Sequence, residues 1–159
     1  MFKEGLTMFA ILRVRGKIGV NYKIEHNLEL LNLTRVSHCV LLKKSPELMG
    51  MLRKGKDYIT WGEIDKDTLK LLLEKRGKVY LEDNKLVPFK EKYAKDVDKI
   101  VADLLNDKKT IKEYSIKQVF RLRPPSKGYE SKGIKKTYVQ GGVLGNRGES
   151  INKLLKKMI

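Results

Sequence analysis

The sequence predicts an α+β protein, in which a strand–helix–strand–helix–strand unit precedes a mostly helical and irregular second part. Three observations favour this class. Stretches with strand-like apolar spacing alternate with stretches of helical spacing as far as residue 64. Capping residues and glycines mark where the helices begin and end. The 159 residues suffice for one domain, or one domain with an appendage, around a sizeable core.

The first unit is defined by its apolar spacing and its helix-start signals. A buried central strand is predicted at 8–14, where apolar residues occupy both faces. Asn21 then caps a helix with a regularly spaced apolar face, and a second strand is predicted at 36–42. Ser45, followed by Pro46 and a glutamate, begins the second helix, and a third strand follows at 58–64.

The second part is predicted to be helical with one long interruption. Helices are expected at 66–76, capped by Asp65, at 96–106 and at 147–158, with a small hairpin at 79–87 and a capping box at Thr110 and Glu113. The stretch 115–142 contains Pro124-Pro125 and several glycines, which predicts irregular structure. We expect its portion 115–138 to be mobile in the free protein.

Charge is the strongest compositional signal. The 35 Lys and Arg exceed the 19 Asp and Glu, which gives a formal net charge of +16. The excess is uneven, because 13–56 and 108–137 each hold ten basic residues with three and two acidic ones, whereas 57–106 is nearly neutral. Such an excess repels itself unless a polyanion neutralises it. Nucleic acid is the leading candidate, and an anionic membrane surface is the weaker alternative.

Several function classes are excluded by what the sequence lacks. The apolar run 8–12 is too short for a spanning helix or a secretory signal. Cys39 is the single cysteine, so no internal disulfide can form, and neither His26 nor His38 has metal-ligand spacing with it. The glycine-rich stretch 141–148 lacks the P-loop ending and is interpreted as the start of a capped helix. We therefore expect no enzyme activity, cofactor, metal or small-molecule substrate.

Two segments have features of RNA contact, and each has a simpler interpretation. Gly16-Lys17-Ile18-Gly19 has the G-x-x-G form that clamps a nucleic-acid backbone, although it could be a plain strand-to-helix turn. The segment 120–138 alternates cations with aromatic rings, although it could be a solvated flexible loop. His38 is interpreted as packed or RNA-contacting, and Trp61 as a core residue or a base-stacking one.

Five segments of the chain are distinctive: FAILRVRGKIGV, NLTRVSHCV, SPELMGMLRKGKDYITWGEI, FRLRPPSKGY and GGVLGNRGESINKLLKKM. Together they resemble the archaeal form of the ribosomal protein L thirty family, whose eukaryotic counterpart is called L seven. The resemblance covers nearly the whole chain. It implies a ferredoxin-like core with a carboxy-terminal extension, and a place in the large subunit of the cytoplasmic ribosome. It also implies binding to 23S-type rRNA, with 5S rRNA near some members and other ribosomal proteins as neighbours.

The resulting hypothesis divides the chain into a leader at 1–7, a ferredoxin-like RNA-binding domain at 8–64 and an extension at 65–159 packed on or beside it. The protein is expected to bind and bridge rRNA through two basic surfaces; an RNA chaperone or translational regulator acting off the ribosome is the alternative. Expected RNA contacts on the domain are Arg13, Arg15, Gly16, Lys17, Gly19, Lys23, Arg35, His38, Arg53, Lys54 and Lys56. Those on the extension are Arg121, Arg123, Lys127, Tyr129, Lys132, Lys135, Lys136 and Arg147.

Overall fold

The structure is a computed structural model that describes residues 8–159, so the expected leader at 1–7 lies outside the described residues. Its strands are β1 (Met8–Arg13), β2 (His38–Lys43), β3 (Ile59–Glu63), β4 (Lys78–Tyr80), β5 (Leu86–Pro88), β6 (Val119–Arg121) and β7 (Gly145–Asn146). Its α-helices are α1 (Tyr22–Leu30), α2 (Pro46–Lys54), α3 (Lys66–Arg76), α4 (Phe89–Tyr93), α5 (Val97–Leu105) and α6 (Ile151–Met158). The α+β class and the order of the first five elements are confirmed.

The main sheet has the strand order β6-β2-β1-β3-β7, with β1 at its centre. β1 is antiparallel to both neighbours, and Ile11 lies opposite Val40 of β2 and Trp61 of β3. β2 and β3 are therefore parallel to each other, with β1 between them and α2 connecting them. This split arrangement is the one that the ferredoxin-like prediction requires.

Helices cover both faces of this sheet. Phe9 and Ile11 of β1 pack with α1 and α2 on one face. Ala10 and Leu12 pack with α3, α5 and α6 on the other. Because successive side chains of a strand point to opposite faces, a central strand between two helical layers must be apolar throughout. This explains the run of apolar residues in β1.

Local capping contacts fix the helix starts where the sequence predicts them. The side chain of Asn21 accepts a hydrogen bond from the backbone N–H of Lys23 at 2.9 Å. The Ser45 hydroxyl accepts one from the backbone N–H of Leu48 at 3.1 Å. Asp65 stands at the cap position of α3, but its side chain makes no capping hydrogen bond. Its backbone N–H instead donates to the Asn152 side chain at 3.0 Å, which ties the start of α3 to α6.

The second part of the chain is more ordered than the sequence predicts. β6 lies within the stretch expected to be mobile, and it pairs antiparallel with β2, where Phe120 faces Cys39. The Phe120 side chain is fully buried. β7 pairs parallel with β3, so that Gly145 faces Thr60. The expectation of irregular structure is therefore wrong for β6, because pairing with an existing strand overrides the local sequence.

The two segments proposed from the sequence, 8–64 and 65–159, share one sheet and one apolar core. β6 and β7 extend the sheet at its two edges. One buried cluster unites Leu12 of β1 with Leu72 of α3, Ile100 of α5 and Leu155 of α6. The extension thus forms structural layers of the same body. The predicted hairpin is present as β4 and β5, and the last helix begins at Ile151 after a 3₁₀ turn.

Candidate nucleic-acid interface

Strand directions bring the two basic stretches of the sequence to one end of the sheet. β1 ends where β2 and β3 begin, because both are antiparallel to it. β6 also ends there, since it is antiparallel to β2, and β7 begins there, since it is parallel to β3. We call this region, residues 14–20, 34–38, 53–58 and 121–144, the basic end. The two surfaces expected from the sequence are neighbours on it.

Backbone and side-chain contacts hold these segments against one another. The Arg15 guanidinium donates to the Asp57 carbonyl at 3.2 Å and lies 5.1 Å from the centre of the Tyr58 ring. The backbone N–H of Ser37 donates to the Arg13 carbonyl at 2.9 Å. The backbone N–H of Leu122 in turn donates to the Ser37 carbonyl at 3.1 Å. The loops therefore form a connected platform at the end of the sheet.

A small apolar cluster anchors the extension to the same end. Val14, which follows β1, is buried with Val143 and Leu144, and the half-buried Tyr129 packs against this cluster. Burial raises the pKa of Tyr129, so its hydroxyl stays protonated at neutral pH. The expected RNA contact by Tyr129 is consistent with its partial exposure, since one part of the ring remains at the surface.

The basic end carries many exposed cations and few carboxylates. Its acidic residues are Asp57 and Glu130, and Glu130 is paired with Arg147. Lys17 approaches Glu25 at 3.6 Å, while the other exposed cations there form no side-chain ion pair with any residue of 8–159. Those cations are Arg35, Arg53, Lys54, Lys56, Arg121, Arg123, Lys127, Lys132, Lys135 and Lys136. Such an arrangement attracts a polyanion.

Arg13 corrects the sequence prediction, because its side chain is fully buried. Its two terminal nitrogens donate to the Glu25 carboxylate at 3.1 and 2.8 Å, and one of them donates to the Leu33 carbonyl at 2.7 Å. Its Nε donates to the Arg15 carbonyl at 2.9 Å. The expected phosphate contact is therefore wrong: Arg13 fixes the loop from inside. Its hydrogen bonds and charge lower the pKa of Glu25.

Arg147 is the second correction, since it is 4% exposed. Its guanidinium pairs with both Glu130 carboxylate oxygens at 2.9 and 3.1 Å and donates from Nε to the Thr60 hydroxyl at 3.1 Å. It also lies 4.8 Å from the centre of the Tyr138 ring. Burial acts to raise the pKa of Glu130, but the Arg147 hydrogen bond and charge outweigh it and lower that pKa. The expected phosphate contact of Arg147 is also wrong.

The G-x-x-G segment projects from the basic end. Gly16, Lys17 and Gly19 are exposed, and Ile18 between them is completely exposed. Gly19 has φ of +73°, a left-handed conformation that glycine adopts without strain, and no atom lies within 4 Å of the place of a side chain there. The backbone is thus open to close approach. Lys23, exposed on the first turn of α1, flanks it.

His38 lies at the edge of this region, opposite Arg121 on β6. It is 8% exposed. Burial lowers its pKa, and the nearby cations Arg121, Arg35 and Lys117 lower it further, so the imidazole is neutral at neutral pH. Trp61 is buried between β3 and the α1–α2 layer, which favours its interpretation as a core residue.

The sequence did not single out four cations beside the edge strand β6, which are Lys75, Arg76, Lys78 and Lys117. Only the general excess of basic residues near 108–137 pointed towards one of them. Within residues 8–159, no group of three or more His, Cys, Asp or Glu side chains is arranged to hold a metal ion. No helix in that range is long and apolar enough to cross a membrane.

The chain is similar in sequence to known proteins over nearly its whole length. The family model described as ribosomal protein L30p/L7e matches residues 9–59. Large ribosomal subunit protein uL30 of Methanosphaera stadtmanae is 47% identical over 158 residues, covering 96% of this chain and 100% of the relative. The proteins of the same name from Nanoarchaeum equitans and Methanococcus maripaludis are 45% and 44% identical over 155 and 154 residues. They cover 97% and 95% of this chain, and 100% and 99% of their own lengths.

Proposed function

The chain belongs to the ribosomal protein L30p/L7e family, and from this premise we propose that it is a component of the large ribosomal subunit that binds rRNA through the basic end. The family is a structural part of the ribosome and not an enzyme. The protein accordingly acts in the cytoplasmic ribosome, in translation. Large-subunit rRNA and neighbouring ribosomal proteins are its partners, and 5S rRNA is a further proposed neighbour.

The observation that carries this proposal is the convergence of unpaired cations from four chain segments on one end of the sheet. Guanidinium and ammonium groups form charge-assisted hydrogen bonds with phosphate oxygens. Each contact also releases a condensed counterion from the RNA, which favours binding. Because the loops are tied to the strands and to one another, the backbone that carries the cations is in place before RNA arrives, which limits the entropy lost on binding.

Bridging follows from the width of the sheet. Neighbouring strands lie about 4.8 Å apart, so the outer strands of the five are roughly 19 Å from each other. One group of cations lies in the segment that leads into β3, at 53–58, and another lies in the segment at the end of β6, at 121–127. A body of this width contacts more than one RNA backbone strand and screens their mutual repulsion. The G-x-x-G loop contributes exposed backbone for a further contact.

The proposed RNA contacts are the sequence-predicted residues without the two buried arginines. They are Arg15, Gly16, Lys17, Gly19, Lys23, Arg35, His38, Arg53, Lys54, Lys56, Arg121, Arg123, Lys127, Tyr129, Lys132, Lys135 and Lys136. Arg15 and Tyr129 are half-buried and His38 is nearly buried, while the others are exposed. A half-buried contact binds through the edge that remains at the surface.

Binding of the full chain to large-subunit rRNA at several salt concentrations tests the proposal. The triple variant Lys56→Gln, Arg123→Gln, Lys127→Gln removes three exposed cations of the basic end. We expect the slope of log affinity against log salt to fall by about 2 to 3 units, since each phosphate contact contributes about 0.7 to 0.9. The control Lys66→Gln, Lys85→Gln, Lys99→Gln removes equal charge from exposed positions elsewhere. Equal effects of the two triples would contradict the proposal.

Sedimentation of a cell extract tests membership of the ribosome. We expect the tagged chain to migrate with large subunits in equal stoichiometry on a sucrose gradient. If the chain sediments mainly as a light RNA complex, the RNA chaperone or translational regulator is the correct interpretation, and the ribosomal proposal fails.

A further inference from the structure

A cleft beside the edge strand β6 lies outside the proposed set of contacts, except for Arg121. It has a volume of about 200 Å³. The residues that line it are Lys75, Arg76, Gly77, Lys78, Pro88, Lys117, Val119 and Arg121. Five of these eight are cations and none is acidic. The carboxyl end of α3, which contributes Lys75 and Arg76, carries only about half a negative charge, so these two cations outweigh it.

A second depression of about 200 Å³ adjoins the first along the same strand and shares lining residues with it. Its lining residues are Asn32, Thr34, His38, Lys117, Val119 and Arg121. Lys117 and Arg121 line both depressions, so the two form one groove across β6. Each depression is smaller than the cavities of 300 to 1,000 Å³ that hold drug-sized ligands. Each has the size for a small group such as a phosphate.

The cations of the groove are fixed by the fold and left without carboxylate partners. The backbone N–H of Lys117 donates to the Lys78 carbonyl at 2.8 Å, which keeps the two residues side by side. Among residues 8–159, no side-chain ion pair involves Lys75, Lys78 or Lys117. Burial lowers the pKa of Lys117, and the charges of Arg121 and Lys78 lower it further. No carboxylate among the described residues therefore neutralises the positive charge of these three lysines.

Two buried nitrogens on the groove residues have no hydrogen-bond partner within the described chain. They are Nδ1 of His38 and Nε of Arg76. Buried polar atoms are nearly always satisfied, so these two side chains have unused hydrogen-bonding capacity beside the groove. His38 is only 8% exposed, and it lines the second depression. Arg76 donates from Nη2 to the Ile159 carbonyl at 3.0 Å, which orients its guanidinium.

We propose that an RNA strand lies across β6 and places successive backbone phosphates in the two depressions of this groove. Lys75, Lys78 and Lys117 supply charge, Arg121 joins the groove to the basic end, and the side chains of His38 and Arg76 line the depressions that receive the phosphates. This inference rests on the proposed RNA binding and deepens it, because it assigns a second contact surface at the edge of the sheet.

The test uses the full chain, large-subunit rRNA and the triple variant Lys75→Gln, Lys78→Gln, Lys117→Gln. We expect the salt slope of binding to fall by about 2 units, which is about 100-fold in affinity at 0.1 M salt. The control triple Lys66→Gln, Lys85→Gln, Lys99→Gln removes the same charge away from the groove. This inference is overturned if the Lys75, Lys78, Lys117 variant binds as the control does while the Lys56, Arg123, Lys127 variant still binds more weakly. In that case the proposed function still stands. If neither triple differs from the control, both fail.

A second measurement on the unaltered protein avoids any loss of folding in the variants. Lysine acetylation by a small reagent is followed residue by residue, with and without rRNA. We expect rRNA to reduce the reaction of Lys75, Lys78 and Lys117 at least several-fold, while Lys66 and Lys99 react equally in both samples. Unchanged reactivity of the three groove lysines in the saturated complex would overturn the inference.

Discussion

The buried guanidinium of Arg13 depends on one carboxylate, that of Glu25. Removal of one partner from a buried pair leaves an uncompensated charge, which costs 3 to 5 kcal/mol when both are fully buried. Because the Glu25 side chain is 18% exposed and Arg13 keeps its carbonyl partners, we expect Glu25→Gln to lower the free energy of unfolding by about 2 kcal/mol. Denaturant titration at pH 7 measures this. A loss below 0.5 kcal/mol, the level of an ordinary surface substitution, would contradict it.

The same pair predicts a pH dependence. The pKa of Glu25 in the folded protein is lowered from its ordinary value of 4.5, chiefly by the Arg13 hydrogen bond. The pair therefore stabilises the fold fully above pH 4.5, and this stabilisation is lost as the pH falls through the folded pKa. The stability difference between the unaltered protein and Glu25→Gln should narrow on acidification. A constant difference from pH 7 to pH 3 would contradict this assignment.

Arg147 allows a test that separates a structural role from RNA contact. Arg147→Lys keeps the positive charge but loses the two parallel hydrogen bonds to Glu130 and the bond to Thr60. We expect the free energy of unfolding to fall by about 2 kcal/mol, because the partly buried Glu130 loses charge-assisted hydrogen bonds and the buried Thr60 loses a neighbour. The salt slope of RNA binding should stay unchanged. A lowered slope with normal stability would restore Arg147 as a phosphate contact.

Neither buried arginine could be recognised from the sequence. Arg13 is followed by Arg15 and Lys17 in an evidently basic loop, so it looks like another surface cation. Its partner lies 12 residues away, and the Glu130 partner of Arg147 lies 17 residues away. These pairs become visible only when the strands are in register, since no local spacing links their members.

At the level of elements, β3 and α6 meet through a glycine. A side-chain carbon at Gly62 would collide with the Gly148 carbonyl oxygen and lie 2.8 Å from Cβ of Ile151. We therefore expect Gly62→Ala to destabilise the fold by about 1 to 3 kcal/mol, because α6 must move off the sheet. Gly50→Ala is the matched control: Gly50 lies within α2 in open space, so alanine should stabilise by about 0.5 to 1 kcal/mol. Thermal melts measure the change in Tm, which should be negative for Gly62→Ala and positive for Gly50→Ala.

Elements with local signals were predictable, and elements made by pairing were not. Asn21 and Ser45 cap their helices through bonds to residues two and three positions away, so a short stretch of sequence suffices. β6 has three residues and β7 has two, within segments rich in proline and glycine. They are strands because β2 and β3 offer unpaired backbone at the sheet edges, which no local propensity reports.

For the whole molecule, the sequence predicted the amount of charge but not its final arrangement. Residues 13–56 and 108–137 are basic in the sequence, and this suggested two surfaces. The antiparallel register of β6 with β2 turns the second stretch back to the end where β1 finishes. The sequence could therefore indicate which basic residues form the candidate site. That these residues lie together at one end of the sheet depends on the strand topology.

The net charge of +16 predicts opposite effects of salt on folding and on binding. Without RNA, the exposed cations repel one another, so screening should stabilise the free protein. Raising sodium chloride from 0.05 to 0.3 M should add about 1 kcal/mol, which is roughly 2 to 4 °C in Tm for this chain length. Affinity for rRNA should fall over the same range. A Tm that falls with salt would show that attractive pairs outweigh the repulsion.

The pairing of β7 with β3 joins residues 145 and 60, which has a consequence for biosynthesis. The first three strands with α1 and α2 are complete once residue 64 has left the translating ribosome. The opposite sheet face, with Ala10, Leu12, Cys39 and Leu41, is covered in steps by α3 and α5, and its cover is complete only when α6 emerges. At 5 to 20 residues per second this takes about 5 to 20 s. During that interval the nascent chain exposes part of its future apolar core, so its tendency to aggregate is greatest before synthesis ends.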